Sequence, residues 1–215
     1  MGTPKDNSST WEADLIVRAR AGDPAARNEI FTRHRQRLCR MVEVRLDRRL
    51  QARIDASDVI QDAFLEVARR LDDYLRDPKV PLFLWLRLVV GERLLKLHRQ
   101  HLGAQLRDAG REVSLYRETL PASSEALAAQ LLGKLTSPLQ AAVRAERMLR
   151  LQEALNGLDP LDREVLALRN FEELTRAEVA QVLGIGEAAA AKRYVRALKR
   201  LKAILAAMPG GLEGL

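Results

Sequence analysis

Apolar residues return at steps of three and four along most of this chain, a spacing that admits little except helices packed on helices. Between Trp11 and His101 the series begins Leu15, Ala19, Ile30, Phe31, His34, Leu38, Met41, Val42, Val44, Leu46. The vocabulary agrees: Leu, Ala, Arg and Glu dominate and aromatic residues are only 4%. Straight-chain side chains lose little rotamer freedom in a helix, and few residues here favour strands. The expected fold class is all-α.

Turn and cap residues divide the pattern. Gly22-Asp23-Pro24 predicts a turn, with Asp23 as N-cap and Pro24 at the first helical position. A helix starting near Asp55 or Ser57 carries Val59, Ile60, Phe64, Val67 and Leu71 inward and ends before Asp77-Pro78. Pro81 opens another, with Phe83, Leu86, Val90, Leu94 and Leu97 on its inner side. From Gly103 to Pro138 glycine, proline and serine break the series, and only Leu127 to Leu135 suggests a short helix. The expected organisation is two helical domains, 11–102 and 139–208, joined by a partly structured linker, 103–138. The first ten residues and the tail from Pro209 are expected to be irregular.

Charge narrows the partners. With 36 basic and 29 acidic residues the net charge is +7, which suits nucleic acid before membrane. The single Cys39 excludes an internal disulfide and fits a reducing compartment. The most apolar stretch, Leu82 to Leu97, is interrupted by Arg87, Glu92, Arg93 and Lys96, so no bilayer span is expected. The N-terminus lacks the apolar core of a signal peptide, and a cytoplasmic location is expected.

The C-terminal block is the most densely punctuated. Asn156-Gly157 closes one helix, and Asp159-Pro160 opens the next, with Val165, Leu166, Leu168 and Phe171 buried. Thr175 and Glu178 form a capping box, Val179, Ala180, Val182 and Leu183 supply the apolar stripe, and Gly184 lets the chain leave left-handed. A long helix follows from Glu187 to about Ala206, so the outline is a helix-turn-helix. On it Ala191, Val195, Leu198, Leu201 and Leu205 are expected to face the core, and Ala189, Lys192, Arg193, Arg196 and Arg200 to form another face. Six basic residues and one acidic lie between Glu187 and Lys202, a stripe able to neutralise phosphates while the first turns approach base edges. Arg176, opening the shorter helix, is placed to meet a backbone phosphate.

The run Glu153–Arg169, followed by Phe171–Ile185, resembles region 4 of the extracytoplasmic-function sigma factors. That family reads promoter −35 elements with this helix-turn-helix. The resemblance continues through Arg193 and Arg196, and departs at Ala188–Ala191, where the family more often has small polar residues and a lysine. The alanines remove side-chain hydrogen bonds, which touches base specificity more than phosphate binding. The −35 contacts implied are Arg176, Glu187, Ala188, Ala189, Lys192, Arg193, Arg196 and Arg200.

Asp55–Glu66 is similar to region 2.2 of the same family, which docks on the clamp helices of the RNA polymerase β′ subunit. Asp58, Gln61, Asp62 and Leu65 share one side of a helix and would hold polymerase. Leu82–Leu88 resembles region 2.3, within which Trp85 reads as core, and the loop Leu75–Val80 falls where the family captures a flipped −10 base. The −10 contacts implied are Arg76, Lys79, Trp85, Arg87, Arg93 and Lys96, with Arg99 and His101 further along the same segment. Gly22–Phe31 resembles region 2.1, so the likeness covers about Leu15–Leu102 and Arg147–Leu205. It implies a sigma factor whose partners are core RNA polymerase and promoter DNA, with room for an anti-sigma protein. The rival readings are a helix-turn-helix regulator that acts without polymerase and a helical adaptor for an acidic protein.

Enzymatic constellations fail on spacing. His98 and His101 share a helix side, but no Cys or carboxylate follows at a zinc-like interval. Cys39 and His34 lack an orienting third group, and no phosphate-binding glycine loop is present. Asp55, Asp58 and Asp62 spread along a helix rather than close around an ion. No catalytic residue, metal or cofactor is expected.

Overall fold

The structure, a computed structural model, describes residues 7–102, 120–132 and 138–208. The tail from Pro209 that is expected to be irregular, residues 1–6 of the polar start and most of the expected linker lie outside the described residues. The elements are α1 (Asn7–Arg20), α2 (Pro24–Glu43), α3 (Arg48–Gln51), α4 (Ala56–Arg76), α5 (Leu82–Leu102), α6 (Ser124–Leu132), α7 (Pro138–Asn156), α8 (Pro160–Asn170), α9 (Arg176–Leu183) and α10 (Glu187–Ala207). No strand is present among the described residues, as the apolar spacing requires. α1 begins at Asn7, inside the stretch expected to be irregular; Asn, Ser and Thr suit a helix start.

Most helix starts sit where a side chain can satisfy the first amides. Asp23 accepts from the Ala25 and Ala26 amides and Pro24 follows it. Asp159 accepts from the Leu161 amide ahead of Pro160 in the same way. α4 begins with a reciprocal box, Asp58 N–H to Asp55 and Asp55 N–H to the Asp58 carboxylate. α3, a single turn capped by Asp47, has no apolar period to announce it.

α1, α2, α4 and α5 pack on one another around Ile30, Leu38, Met41, Ile60, Leu86 and Leu94, all fully buried. α7, α8, α9 and α10 form a second assembly with Leu155, Leu158, Leu166 and Ala197 inside. α6, three residues earlier than the short helix expected within the linker, packs on α7 with Leu127 and Ala128 buried. The segment leading into it is docked as well: Ser123 N–H donates to the Val44 carbonyl at 2.7 Å, and Ala122 N–H to Glu164 Oε2 at 2.9 Å.

The two assemblies are in contact, and charge lies at the centre of that contact. Arg45, Arg87, Glu164 and Glu172 are each at most 3% exposed. Arg45 pairs with Glu164 and, at 2.6 Å, with Glu172; Arg87 reaches Glu172 at 2.6 Å and Glu164 at 3.7 Å. Burial alone would push the Glu172 carboxyl up, but Arg45 and Arg87 overcome it and hold it below its ordinary value. Around this quartet, Arg37 donates to the Glu172 and Glu173 carbonyls, and Arg40 to the Phe171 carbonyl at 2.7 Å. Apolar contact crosses the same seam: Val44 belongs to the C-terminal cluster, while Val165, Leu168 and Leu174 join the N-terminal one.

Candidate functional site

The helix-turn-helix is built from local chemistry. Thr175 Oγ1 accepts from the Glu178 amide at 3.2 Å, and the Glu178 carboxylate takes the Thr175 amide at 2.7 Å. After eight helical residues α9 stops at Gly184, whose φ of 65° is open to glycine without the Cβ clash other residues meet. Its N–H bonds back to the last turn, Ile185 N–H reaches the Ala180 carbonyl at 3.0 Å, and α10 starts after Gly186, which has no side chain to cap it.

α10 is rotated from the orientation that the sequence spacing suggests. Val195 and Leu198 are 50% and 41% exposed rather than buried, and Ala191 is half-buried. The inner line is Ala190, Tyr194, Ala197, Leu201, Ile204 and Leu205. Alanines at 190 and 197 allow close approach, and the Tyr194 hydroxyl donates to Asn170 Oδ1 at 3.0 Å, which sets the rotation. The expected core positions Leu201 and Leu205 keep that role.

Of the expected −35 contacts, Arg176, Glu187, Ala188, Ala189, Lys192, Arg196 and Arg200 are exposed, together with Lys199 and Lys202. Arg193 differs. Its side chain is 25% exposed and donates to Asp162 Oδ1 at 2.8 Å, with Asp159 at 3.5 Å. Arg196 reaches the same Asp162 oxygen at 3.2 Å. Asp162, fully buried on α8, escapes sequence inspection because its partners lie more than thirty positions away on another helix. Alanine side chains follow Glu187 on the outer start of α10, so the surface there is smooth, and the positive charge begins about a turn later at Lys192.

On α4, Asp58, Gln61, Asp62 and Leu65 are exposed on one side, Leu65 at 60%. Asp58 also serves the N-terminal box, a role hidden by its being Asp rather than the usual Glu or Gln. Beside this face runs a groove of about 390 Å³ between α4 and α5, lined by Asp62, Leu65, Glu66, Arg69, Val89, Glu92, Arg93 and Lys96. Arg93, expected to track a −10 strand, instead pairs with Asp62 across it.

The remaining −10 candidates divide. Arg76, Lys79 and Lys96 are exposed, with Arg76 paired to Asp73 and Lys79 to Asp77 at 3.5 Å. Trp85 is interior, stacked on Tyr74 with ring centres 4.6 Å apart, as its apolar neighbours suggest. Arg87 is a correction: at 1% exposure it lies in the buried quartet and presents nothing to a strand in this arrangement. Its long-range partners, Glu164 and Glu172, lie in the other assembly, so no local pattern shows them.

Among the described residues no group of three or more His, Cys, Asp or Glu is arranged to hold a metal. No helix among them is long and apolar enough to cross a membrane.

Comparison with known proteins bears on these surfaces. Residues 148–201, which contain α8, α9 and most of α10, match the family "Sigma-70, region 4". The chain is similar to the ECF RNA polymerase sigma factor SigD of Mycobacterium tuberculosis, 29% identical over 188 residues, 87% of this chain and 81% of the relative. It is also similar to the RNA polymerase sigma factor CnrH of Cupriavidus metallidurans, 28% identical over 151 residues, 70% of this chain and 73% of the relative. The structure of CnrH in complex with the cytosolic domain of CnrY superposes with a TM-score of 0.54 at 24% identity, covering 92% of this chain and 99% of that one, and so shares the fold. With a region 4 helix-turn-helix at one end and sequence likeness running through the other, the chain is similar over most of its length to RNA polymerase sigma factors of the extracytoplasmic-function type.

Proposed function

We propose that this chain binds core RNA polymerase and directs it to promoters, the N-terminal assembly holding the enzyme and the C-terminal helix-turn-helix reading the −35 element. Residues 11–102 and 139–208 are the working modules. Polymerase is held by Asp58, Gln61, Asp62 and Leu65, an acidic face with an apolar residue at its edge that suits the basic surface of a partner helix such as those of the β′ clamp. DNA at −35 is met by Arg176, Lys192, Arg196 and Arg200, backed by Lys199 and Lys202 on the same long helix. Arg76, Lys79 and Lys96 serve the −10 side. The chemistry of RNA synthesis belongs to the polymerase, the chain works in the cytoplasm without cofactor or metal, and an anti-sigma protein is a natural further partner.

The observation that carries this reading is that one chain presents both surfaces: an exposed acidic face on α4 and a cationic α10 after a left-handed glycine. A regulator acting without polymerase, or an adaptor for acidic proteins, leaves one of the two without a purpose.

Run-off transcription with core polymerase on a genomic promoter library tests the function as a whole. Gln61→Ala with Asp62→Ala should abolish co-elution with core polymerase and leave the full chain's affinity for duplex DNA within about twofold. Lys192→Ala with Arg200→Ala should do the reverse, lowering the slope of log affinity against log salt by about 1.8, or 0.9 per lost phosphate contact. A well-folded chain that never confers initiation on any template rules the function out.

A further inference from the structure

Asp162 is a buried carboxylate with an unusual set of partners. It lies in the first turn of α8, yet Asp159 caps that helix, so Asp162 is not needed there. Its side chain is 1% exposed, and among the described residues its hydrogen bonds run to two guanidiniums alone: Arg193 at 2.8 Å and Arg196 at 3.2 Å, both on Oδ1. Oδ2 is buried without a hydrogen-bond partner. Both arginines belong to the helix that carries the chain's densest positive charge. A carboxylate screened from water attracts a cation more strongly than one in solvent does. A phosphate approaching Arg193 or Arg196 therefore competes with Asp162, whereas one approaching Lys192, Lys199 or Arg200 meets a cation that has no acidic partner among the described residues.

We propose that Asp162 is a positioning residue for DNA reading, which holds Arg193 and Arg196 back from the phosphates of arbitrary duplex and yields them to DNA that seats against the start of α10. This rests on α10 being the DNA-reading helix. The start of α10 is alanine-lined and offers few side-chain hydrogen bonds to bases, so discrimination by contact is limited there. Withholding two cations lowers binding to every sequence that does not fit. Nonspecific affinity is almost entirely electrostatic, so it feels this most.

The test uses the full chain, a random-sequence duplex and a duplex selected from a random library by the wild-type protein. Asp162→Asn keeps the size of the side chain and removes its charge. It should steepen the salt slope on random duplex by about 0.9 to 1.8, one or two further phosphates, and lower the selected-to-random affinity ratio about tenfold. In an Arg196→Ala background the steepening should fall by about half, because one of the two released cations is gone. A bystander charge would give equal steepening in both backgrounds and overturn the proposal, as would an unchanged slope and ratio in a folded variant. Should Asp162→Asn not fold, single variants decide: on random duplex Arg196→Ala should reduce the slope by less than half as much as Lys192→Ala, and equal reductions overturn the proposal. A wild-type chain with no salt-dependent affinity for either duplex removes the DNA-binding function itself. Salt-dependent binding that Asp162→Asn leaves unaltered removes only the role of Asp162.

Discussion

His34 shows how a position legible in the sequence can conceal the chemistry that its neighbours impose. It falls on the apolar face of α2, and the structure buries it to 3% exposure between the rings of Trp11 and Phe83, each centred 5.5 Å away. Burial, aided by the nearby Arg37, lowers its pKa from 6.5 to about 4, and the neighbouring Glu12 carboxylate at 4.0 Å does not reverse this. The folded state therefore binds the His34 proton less readily than the unfolded chain. The associated stability is complete above pH 6.5 and drains away as pH falls from 6.5 towards 4, amounting to about 3 kcal/mol from ~1.4 kcal/mol per unit. Urea unfolding between pH 7.5 and pH 4.5 should show this loss, and His34→Leu should flatten the profile in that window. A slope unchanged by the substitution would assign the acid sensitivity to other groups. The apolar position of His34 was legible in the sequence; its aromatic neighbours, brought from α1 and α5, were not.

At the scale of elements, helix ends were easier to read than helix faces. Asp23-Pro24, Asp159-Pro160, Thr175 with Glu178, and Gly184 act over one turn, so their chemistry is written in adjacent residues and reappears in the structure. Thr175→Ala should cost about 1 kcal/mol, and Gly184→Ala a further amount of similar size, because φ of 65° places a Cβ against the backbone. Thermal unfolding of the two variants checks this, and a Gly184→Asn variant, tolerant of the left-handed region, should recover part of the loss. The face of α10 was harder. Apolar spacing at 191, 195 and 198 fits the helical period as well as 190, 194 and 197 does, and only the contacts made by Tyr194 and two alanines decide between them. The same limit hid Asp162, whose ion pairs depend on where α8 and α10 meet.

For the molecule as a whole, the sequence pointed to two helical bodies and a connector, with nothing to indicate that the bodies touch. Their meeting depends on residues with no local signature: Arg37, Arg40 and Arg45 along α2 and just beyond it, and Glu164 and Glu172 more than a hundred positions later. Glu172→Gln removes one carboxylate from a buried set of four and leaves Arg45 and Arg87 under-compensated, a change that costs about 3–5 kcal/mol when a buried pair is broken. Denaturant unfolding should register it as a lower midpoint or as a separate early transition of one body. Replacing Arg45, Arg87, Glu164 and Glu172 together by Met and Leu should restore or exceed the original midpoint, since apolar residues of similar volume meet no desolvation penalty.

A joint centred on full ionic charges behaves unlike an oily one. Once a gap wide enough for solvent opens, four hydration shells form and recover much of what desolvation had cost, while the bodies on either side keep their own interiors. Concentrated sulfate, which is excluded from protein surfaces, would tighten a greasy joint and do much less for an ionic one. Arg87, at 1% exposure and paired to Glu172, is held for as long as that joint stays closed.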